Sequence, residues 1–178
     1  MVHSVRMSVV KRIPDVLTFS RGVIACAVFT LGFVGRAALE AVIVLTIIGW
    51  TTDILDGRIA RRIKKPPTWI GDQEFTFDML MVFSGLCYFV MAGFIDALPA
   101  VMYCIAAAVC IGAFRSKMVT MSFATPLVAL PLIVSYFEAP HALLWYLAWI
   151  AAALALDWKR FKGVVREFIE NARQLARR

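Results

Sequence analysis

The feature that most constrains this chain is a series of six apolar stretches, each close to the length that a membrane span requires. A helix needs about 20 apolar residues to cross a hydrocarbon layer of roughly 30 Å. The apolar stretches cover residues 17–35, 38–55, 75–94, 99–114, 118–137 and 141–156. Apolar residues make up 61% of the chain, above the roughly 45–50% of soluble domains. The sequence therefore predicts an all-α integral membrane protein with six transmembrane helices.

The basic residues predict how these spans are oriented. Lysines and arginines concentrate on the cytoplasmic side of membrane spans, and all but two of the 19 basic residues fall on one side of the six stretches. The exceptions are Arg21, inside the first stretch, and Arg36, on the opposite side. The sequence therefore predicts a multi-pass protein of the cell (inner) membrane with both termini in the cytoplasm.

The net charge of +7 raises the question of nucleic acid as a partner. The basic residues cluster at the ends of apolar segments and not along one soluble face, which argues against nucleic acid. Anionic lipid headgroups are the expected partner of these charges.

Two amphipathic segments flank the predicted spans. In residues 158–178 apolar side chains recur every three or four positions, and basic side chains take other positions. This pattern predicts a helix that lies on the cytoplasmic membrane surface, and residues 2–12 form a shorter segment of the same kind ahead of Pro14. The sequence thus predicts a single membrane domain over 1–178, with a juxtamembrane helix at 2–12, a transmembrane core at 17–156 and the surface helix at 158–178.

Four carboxylates stand at the cytoplasmic ends of the second and third stretches, at Asp53, Asp56, Glu74 and Asp78. If both segments are helical there, the first two are i, i+3 neighbours and the last two are i, i+4 neighbours, so each pair shares one helix face. An ionised side chain costs ~2.5–3.5 kcal/mol in hydrocarbon on insertion scales, so such groups pair with each other or hold an ion. Carboxylate oxygens suit Mg²⁺ or Mn²⁺. The sequence predicts that the four acids hold such ions, and two ions would bridge a pyrophosphate.

Three further residues lie beside the acids at the end of the second stretch. Gly57 and Ala60 are small and let a ligand or a neighbouring helix approach the backbone closely. Arg61 carries a planar guanidinium that suits a phosphate oxygen. A structural interpretation also remains open, in which Gly57 and Ala60 pack helices and Arg61 is an ordinary cytoplasmic charge. A small cation transporter that uses the acids as its pathway is a further alternative, but it leaves these three residues unexplained.

Together these residues resemble the signature of the CDP-alcohol phosphotransferases, integral membrane enzymes of phospholipid synthesis. The signature is D-x2-D-G-x2-A-R-x8-G-x3-D-x3-D, and its positions fall on Asp53, Asp56, Gly57, Ala60, Arg61, Ile70, Glu74 and Asp78. The segment from Pro14 to Arg21 also looks like the P-N-x-x-T-x-x-R stretch that opens the first span of many members. The chain departs from the family at three positions, where Asp15 replaces Asn, Ile70 replaces Gly and Glu74 replaces Asp.

The resemblance implies transfer of a phosphatidyl group from CDP-diacylglycerol, or another CDP-linked lipid, to a small hydroxyl acceptor with release of CMP. The cofactor would be Mg²⁺ or Mn²⁺, with two ions bound by Asp53, Asp56, Glu74 and Asp78. Asp78 would also act as the base that takes the proton from the acceptor hydroxyl. The contacts to CDP would come from Thr18, Gly57, Ala60 and Arg61.

The acceptor is the least determined part of the prediction. Arg115 and Lys117 follow the fourth stretch and would hold an acceptor phosphate through charge-assisted bonds, although they also fit a purely topological role. Glycerol 3-phosphate is the expected acceptor, with inositol phosphate and serine as alternatives. Glu74 and Ile70 leave a further alternative, a catalytically impaired member that binds nucleotide or lipid without turnover. The resemblance also implies a homodimer.

Overall fold

The computed structural model describes residues 2–63 and 68–175, and within these ranges the chain is helical with short connecting turns and no strand. The elements, in order, are α1 (Val2–Leu31), a 3₁₀ turn (Gly35–Ala38), α2 (Leu39–Ile63), α3 (Trp69–Asp72), α4 (Glu74–Met91), α5 (Ala97–Phe114), α6 (Lys117–Glu138) and α7 (Pro140–Leu175). The predicted all-α class is confirmed for the part of the chain that the structure describes.

Five helical segments are long and apolar enough to cross a membrane. They are Ile13–Leu31, Gly35–Arg62, Glu74–Met91, Ala97–Phe114 and Met118–Glu138. The sixth predicted span corresponds to Pro140–Leu156, a shorter apolar part of α7. The first five spans therefore match the expectation by length and composition, and the sixth span stays a prediction.

The two flanking segments are not separate helices. α1 runs without interruption from Val2 through Pro14, where the missing proline N–H removes one backbone hydrogen bond but leaves the others in place. α7 likewise continues past Leu156 to Leu175, and residues 176–178 lie outside the described residues. The predicted independent helices at 2–12 and 158–178 are thus not confirmed, and their placement on a membrane surface stays a prediction.

The chain divides into two compact units, the first ending at Asp96 and the second beginning at Ala97. The sequence predicts a single membrane domain, and that grouping stays a prediction. In the first unit α1 packs against both α2 and α4. Thr18 pairs with Asp56 and Arg21 with Asp53, so α1 and α2 run antiparallel.

Small residues allow the three helices of the first unit to approach closely. A Cβ added at Gly22 of α1 would lie 2.8 Å from a ring carbon of Phe77 of α4. A Cβ added at Gly49 of α2 would overlap the sulfur of Met81 of α4. These contacts bring the end of α2 and the start of α4 to the same end of the unit, where the predicted acids lie.

In the second unit α6 packs against both α5 and α7. The hydroxyl of Tyr103 on α5 donates a hydrogen bond of 2.7 Å to the Phe123 carbonyl on α6. Ala100 is the only buried residue of α5, and most of the other apolar side chains of this helix are exposed. A surface of that kind is suited to lipid.

Candidate active site

Three of the four predicted carboxylates form a compact group at one end of the first unit. One oxygen from each of Asp53, Asp56 and Glu74 lies within 4.8 Å of the other two. Asp53 and Asp56 lie on the same face of α2. The helix continues to Ile63, so the two residues are i, i+3 neighbours within it. The acidic group, as we call these three residues, is thus built by two helices that are not adjacent in the chain.

A short turn places Glu74 in the acidic group. Thr68 caps α3 by accepting the Gly71 N–H at 3.1 Å. The backbone of Gln73 then leaves helical geometry (φ −93°, ψ 6°), which ends α3 and lets α4 begin at Glu74. A carboxylate in the first turn of a helix is favoured by the partial positive charge of that terminus.

The turn is also tied to α1. The Thr68 hydroxyl donates a hydrogen bond of 2.7 Å to Asp15 Oδ1, so the residue that replaces the family Asn holds the segment ahead of α4. Ile70 lies within the helical turn of α3, and the positive φ angles of the described residues occur elsewhere, at Arg115, Gly35 and Gly93. An isoleucine at this position therefore creates no backbone strain that a glycine would relieve.

The fourth acid, Asp78, is held by Arg21 of α1. The Arg21 side chain is completely buried, and its Nη1 contacts both Asp78 Oδ1 and Asp53 Oδ1, the latter at 2.7 Å. Its Nη2 contacts Asp56 Oδ2 at 2.5 Å. Arg21 thus links three of the four acids, and Asp78 lies one helical turn beyond Glu74 on α4.

Thr18 belongs to the same network. Its hydroxyl donates to Asp56 Oδ2 at 3.0 Å and accepts from Arg21 Nη2 at 3.3 Å. Thr18 and Asp56 are both buried, with exposed fractions of 3% each. Thr18, which the sequence predicts to contact CDP, therefore forms its hydrogen bond to Asp56, one of the acids of the site.

The acidic group has the properties of a divalent metal site. Asp56 Oδ1 is buried and has no hydrogen-bond partner among the described residues, and an unpaired buried acceptor is costly. Three aspartates contact the single buried guanidinium of the described part of this unit, and Glu74 adds a fourth carboxylate next to Asp53 and Asp56. Hard oxygen ligands with an excess of negative charge fit Mg²⁺ or Mn²⁺. The residues present therefore fit a divalent cation.

The small residues and Arg61 occupy the last turns of α2. Gly57 and Ala60 are partly buried and lie one and two turns beyond Asp53 on its side of the helix, while Arg61 is exposed.

The predicted acceptor residues belong to the second unit. Arg115 is exposed in the turn between α5 and α6 and has a φ of 43°, and Lys117 is the first residue of α6.

Sequence reasoning did not assign a role to Arg21, although two signals pointed to it. A cation inside an apolar stretch requires a partner, and Arg21 is also the last residue of the segment that resembles the opening of the first span in the family. The acids identified the chemistry of the site, but the residue that links them lies on a third helix.

The comparison with known protein families gives a match over most of the chain. A family model described as CDP-alcohol phosphatidyltransferase matches residues 11–158. No curated protein and no solved structure gives a significant match. The matched range contains every residue of the acidic group as well as Thr18, Arg21 and Asp78.

Proposed function

Since the chain belongs to the CDP-alcohol phosphatidyltransferase family, we propose that it acts as a phosphatidylglycerophosphate synthase. Members of this family are transferases of substituted phosphate groups that use a CDP-alcohol donor and an alcohol acceptor in membranes, and they depend on a divalent metal. The proposed donor is CDP-diacylglycerol, the proposed acceptor is glycerol 3-phosphate, and the proposed second product is CMP.

The observation that carries this proposal is the acidic group itself. Carboxylates from α2 and α4 meet within 4.8 Å, and one buried oxygen of Asp56 lacks a hydrogen-bond partner. Mg²⁺ or Mn²⁺ held there, with two ions expected, would neutralise pyrophosphate charge and make the phosphorus more electrophilic. Asp53, Asp56 and Glu74 are the proposed ligands, with Asp78 as a fourth.

The proposed reaction is a substitution at the lipid-linked phosphorus. The acceptor hydroxyl oxygen forms a new bond to that phosphorus, the bond from phosphorus to the bridging oxygen breaks, and CMP leaves with the electron pair. Asp78 takes the hydroxyl proton, since its carboxylate lies one turn from Glu74 and is partly exposed. Arg61, Gly57 and Ala60 receive the nucleotide, the arginine contacting a phosphate oxygen and the small residues allowing close approach.

We assign the acceptor phosphate to Arg115 and Lys117. Two features of Arg115 support this assignment, namely its exposed guanidinium and its position in a turn instead of a helix interior. A phosphate oxygen bound by a guanidinium forms a charge-assisted hydrogen bond.

In the proposed arrangement the site opens to the cytoplasmic side of the cell (inner) membrane, where both termini lie. The proposed active form is a homodimer.

Replacing Arg115 by alanine is expected to raise the KM for glycerol 3-phosphate about tenfold and to change the KM for CDP-diacylglycerol much less. A hydrogen bond to a charged group contributes roughly 1.5–3 kcal/mol, and 1.4 kcal/mol corresponds to a factor of ten. Alanine meets the same steric resistance as arginine at positive φ, so the backbone strain at this turn is unchanged. Initial-rate measurements of CMP release, with each substrate varied in turn, test this prediction.

The matched control for the Arg115 variant is Arg36→Ala. Arg36 contacts the Gly93 carbonyl at 2.7 Å and the Phe94 ring at 4.8 Å, at the other end of the first unit from the acids. This control should leave both KM values unchanged. Equal increases in both KM values for Arg115→Ala would remove the acceptor assignment.

The experiment that tests the whole proposal is an acceptor panel. The purified chain is incubated with CDP-diacylglycerol, Mg²⁺ and either glycerol 3-phosphate, inositol phosphate or serine, and CMP is measured. Release with glycerol 3-phosphate alone supports the proposed acceptor, and release with another acceptor reassigns it. Absence of release with every acceptor would favour an impaired member that only binds nucleotide or lipid, the alternative suggested by Ile70 and Glu74. Cation flux across liposomes without nucleotide would instead favour the transporter.

A further inference from the structure

Arg21 contacts the acids in a specific way. Its guanidinium donates a hydrogen bond to one oxygen of each of three aspartates. The acceptors are Oδ1 of Asp53, Oδ1 of Asp78 and Oδ2 of Asp56. The Arg21 side chain is fully buried and Asp56 is buried, whereas the side chains of Asp53 and Asp78 are 20% and 21% exposed. Each carboxylate has a second oxygen, and for Asp56 that oxygen is buried without a partner.

We infer that Arg21 is a positioning residue for the metal ligands, holding one oxygen of each aspartate on the α1 side so that the second oxygens of Asp53 and Asp56 are presented to the divalent ion. The inference rests on the proposed function, because it concerns the same site. Groups that hydrogen-bond to metal ligands and fix their orientation typically change metal affinity by 10–100-fold when they are removed.

The charge of Arg21 alone does not explain the arrangement. A guanidinium repels a divalent cation, so as a bare positive charge Arg21 would weaken metal binding. Its advantage lies in geometry, because Nη1 and Nη2 face different carboxylates from one rigid plane. A lysine ammonium is a single point of charge and has no such fork. Arg21→Lys therefore keeps the charge and removes the geometry.

Thr18 contributes to the same positioning. Its hydroxyl donates to the same Asp56 oxygen that Arg21 Nη2 contacts, and it also accepts from Arg21. Asp56 Oδ2 is thus fixed from two directions, which leaves Oδ1 as its free ligand atom. Removing the Thr18 hydroxyl is expected to loosen Asp56 alone, with a smaller effect than the loss of the guanidinium.

The test is Mn²⁺ binding by the detergent-solubilised full chain without nucleotide, followed by the electron paramagnetic resonance signal of free Mn²⁺. Arg21→Lys is expected to lower the Mn²⁺ affinity at least about tenfold. Arg36→Lys makes the same exchange at the other end of the first unit and should leave the affinity unchanged. Size-exclusion chromatography and the melting temperature without metal identify any variant that does not fold.

A second pair of variants decides the question if Arg21→Lys does not fold. Thr18→Val removes the hydroxyl at nearly constant volume and is expected to lower the Mn²⁺ affinity about threefold or more, whereas Thr18→Ser keeps the hydroxyl and should bind as the unmodified chain does. Lower affinity in Thr18→Val alone supports the inference. Equal affinity in Thr18→Val and Thr18→Ser overturns it.

Three further outcomes would overturn the inference. One is a folded Arg21→Lys variant that binds Mn²⁺ as tightly as the unmodified chain does. Another is an equal loss of affinity in Arg21→Lys and Arg36→Lys, which would indicate a general effect of the exchange. The third is a lack of Mn²⁺ binding by the unmodified chain. CMP release by the unmodified chain in the acceptor panel tests the proposed function separately, so failure of the inference is distinguishable from failure of the function.

Discussion

Replacing Asp78 by asparagine is expected to lower the rate of CMP release by roughly 10³-fold, because a positioned general base contributes about 10²–10⁴-fold. The substitution removes the carboxylate that accepts the proton and leaves the side-chain volume almost unchanged. An asparagine oxygen still accepts a hydrogen bond from Arg21, which contacts Asp78 in the present structure. The variant should therefore insert and fold, and the loss should appear in kcat.

The control for this substitution is Asp96→Asn, which makes the same exchange at an exposed position where the first unit ends. It should release CMP at the rate of the unmodified chain. Both variants are compared at equal amounts of detergent-extracted protein. A near-normal kcat for Asp78→Asn would show that the base has been assigned to the wrong residue.

The second large effect is expected at Asp56, the most buried of the four acids. Asp56→Asn should lower CMP release at least about 100-fold at ordinary Mg²⁺ concentrations and should raise the Mg²⁺ concentration required for half-maximal rate. The reason is the loss of charge at Asp56 Oδ1, a buried oxygen without a hydrogen-bond partner among the described residues. A titration of the rate with Mg²⁺ measures both effects in one experiment.

Asp72→Asn is the nearby control for the Asp56 variant. Asp72 is exposed on α3 and is not one of the three residues of the acidic group, so its Mg²⁺ titration should match that of the unmodified chain. If Asp56→Asn keeps the normal Mg²⁺ dependence, Asp56 does not bind the metal that supports catalysis.

The sequence was sufficient to predict the acidic group because its elements are local. Asp53 and Asp56 share a face in any helix that reaches Ile63, and Glu74 joins them because α4 begins where the turn at Gln73 ends. The longer side chain of Glu74 does not keep it out of the group. The prediction of the acidic group thus depended on the i, i+3 spacing of Asp53 and Asp56, which keeps both residues on one face of α2.

The role of Arg21 was not predictable from the same reasoning. Helical periodicity identifies which residues share a face of one helix, but it does not identify the helix that lies alongside. The prediction placed the acids on two helices, α2 and α4, whereas α1 packs against both of these helices and supplies the linking cation. The free-energy cost of an arginine in hydrocarbon indicates that such a residue has partners, but it does not identify them.

The helix ends were the other part that periodicity did not determine. Pro14 suggested a break, but α1 continues through it, since a proline removes one hydrogen bond and the rest of the helix supplies the others. The segment around Leu156 contains no glycine or proline, so nothing in the backbone stops α7 where the apolar stretch ends. Hydropathy marks where a chain enters lipid, which is a different position from where a helix begins or ends.

The burial of Arg21 has a consequence for biogenesis. When the ribosome has released only the first helix, its arginine meets hydrocarbon without a counter-ion, at a penalty of ~2.5–3.5 kcal/mol on insertion scales. The compensating aspartates are synthesised later, on α2 and α4. The first helix therefore reaches its most favourable state in lipid only after two further helices have arrived, which makes insertion of this part of the chain a cooperative event.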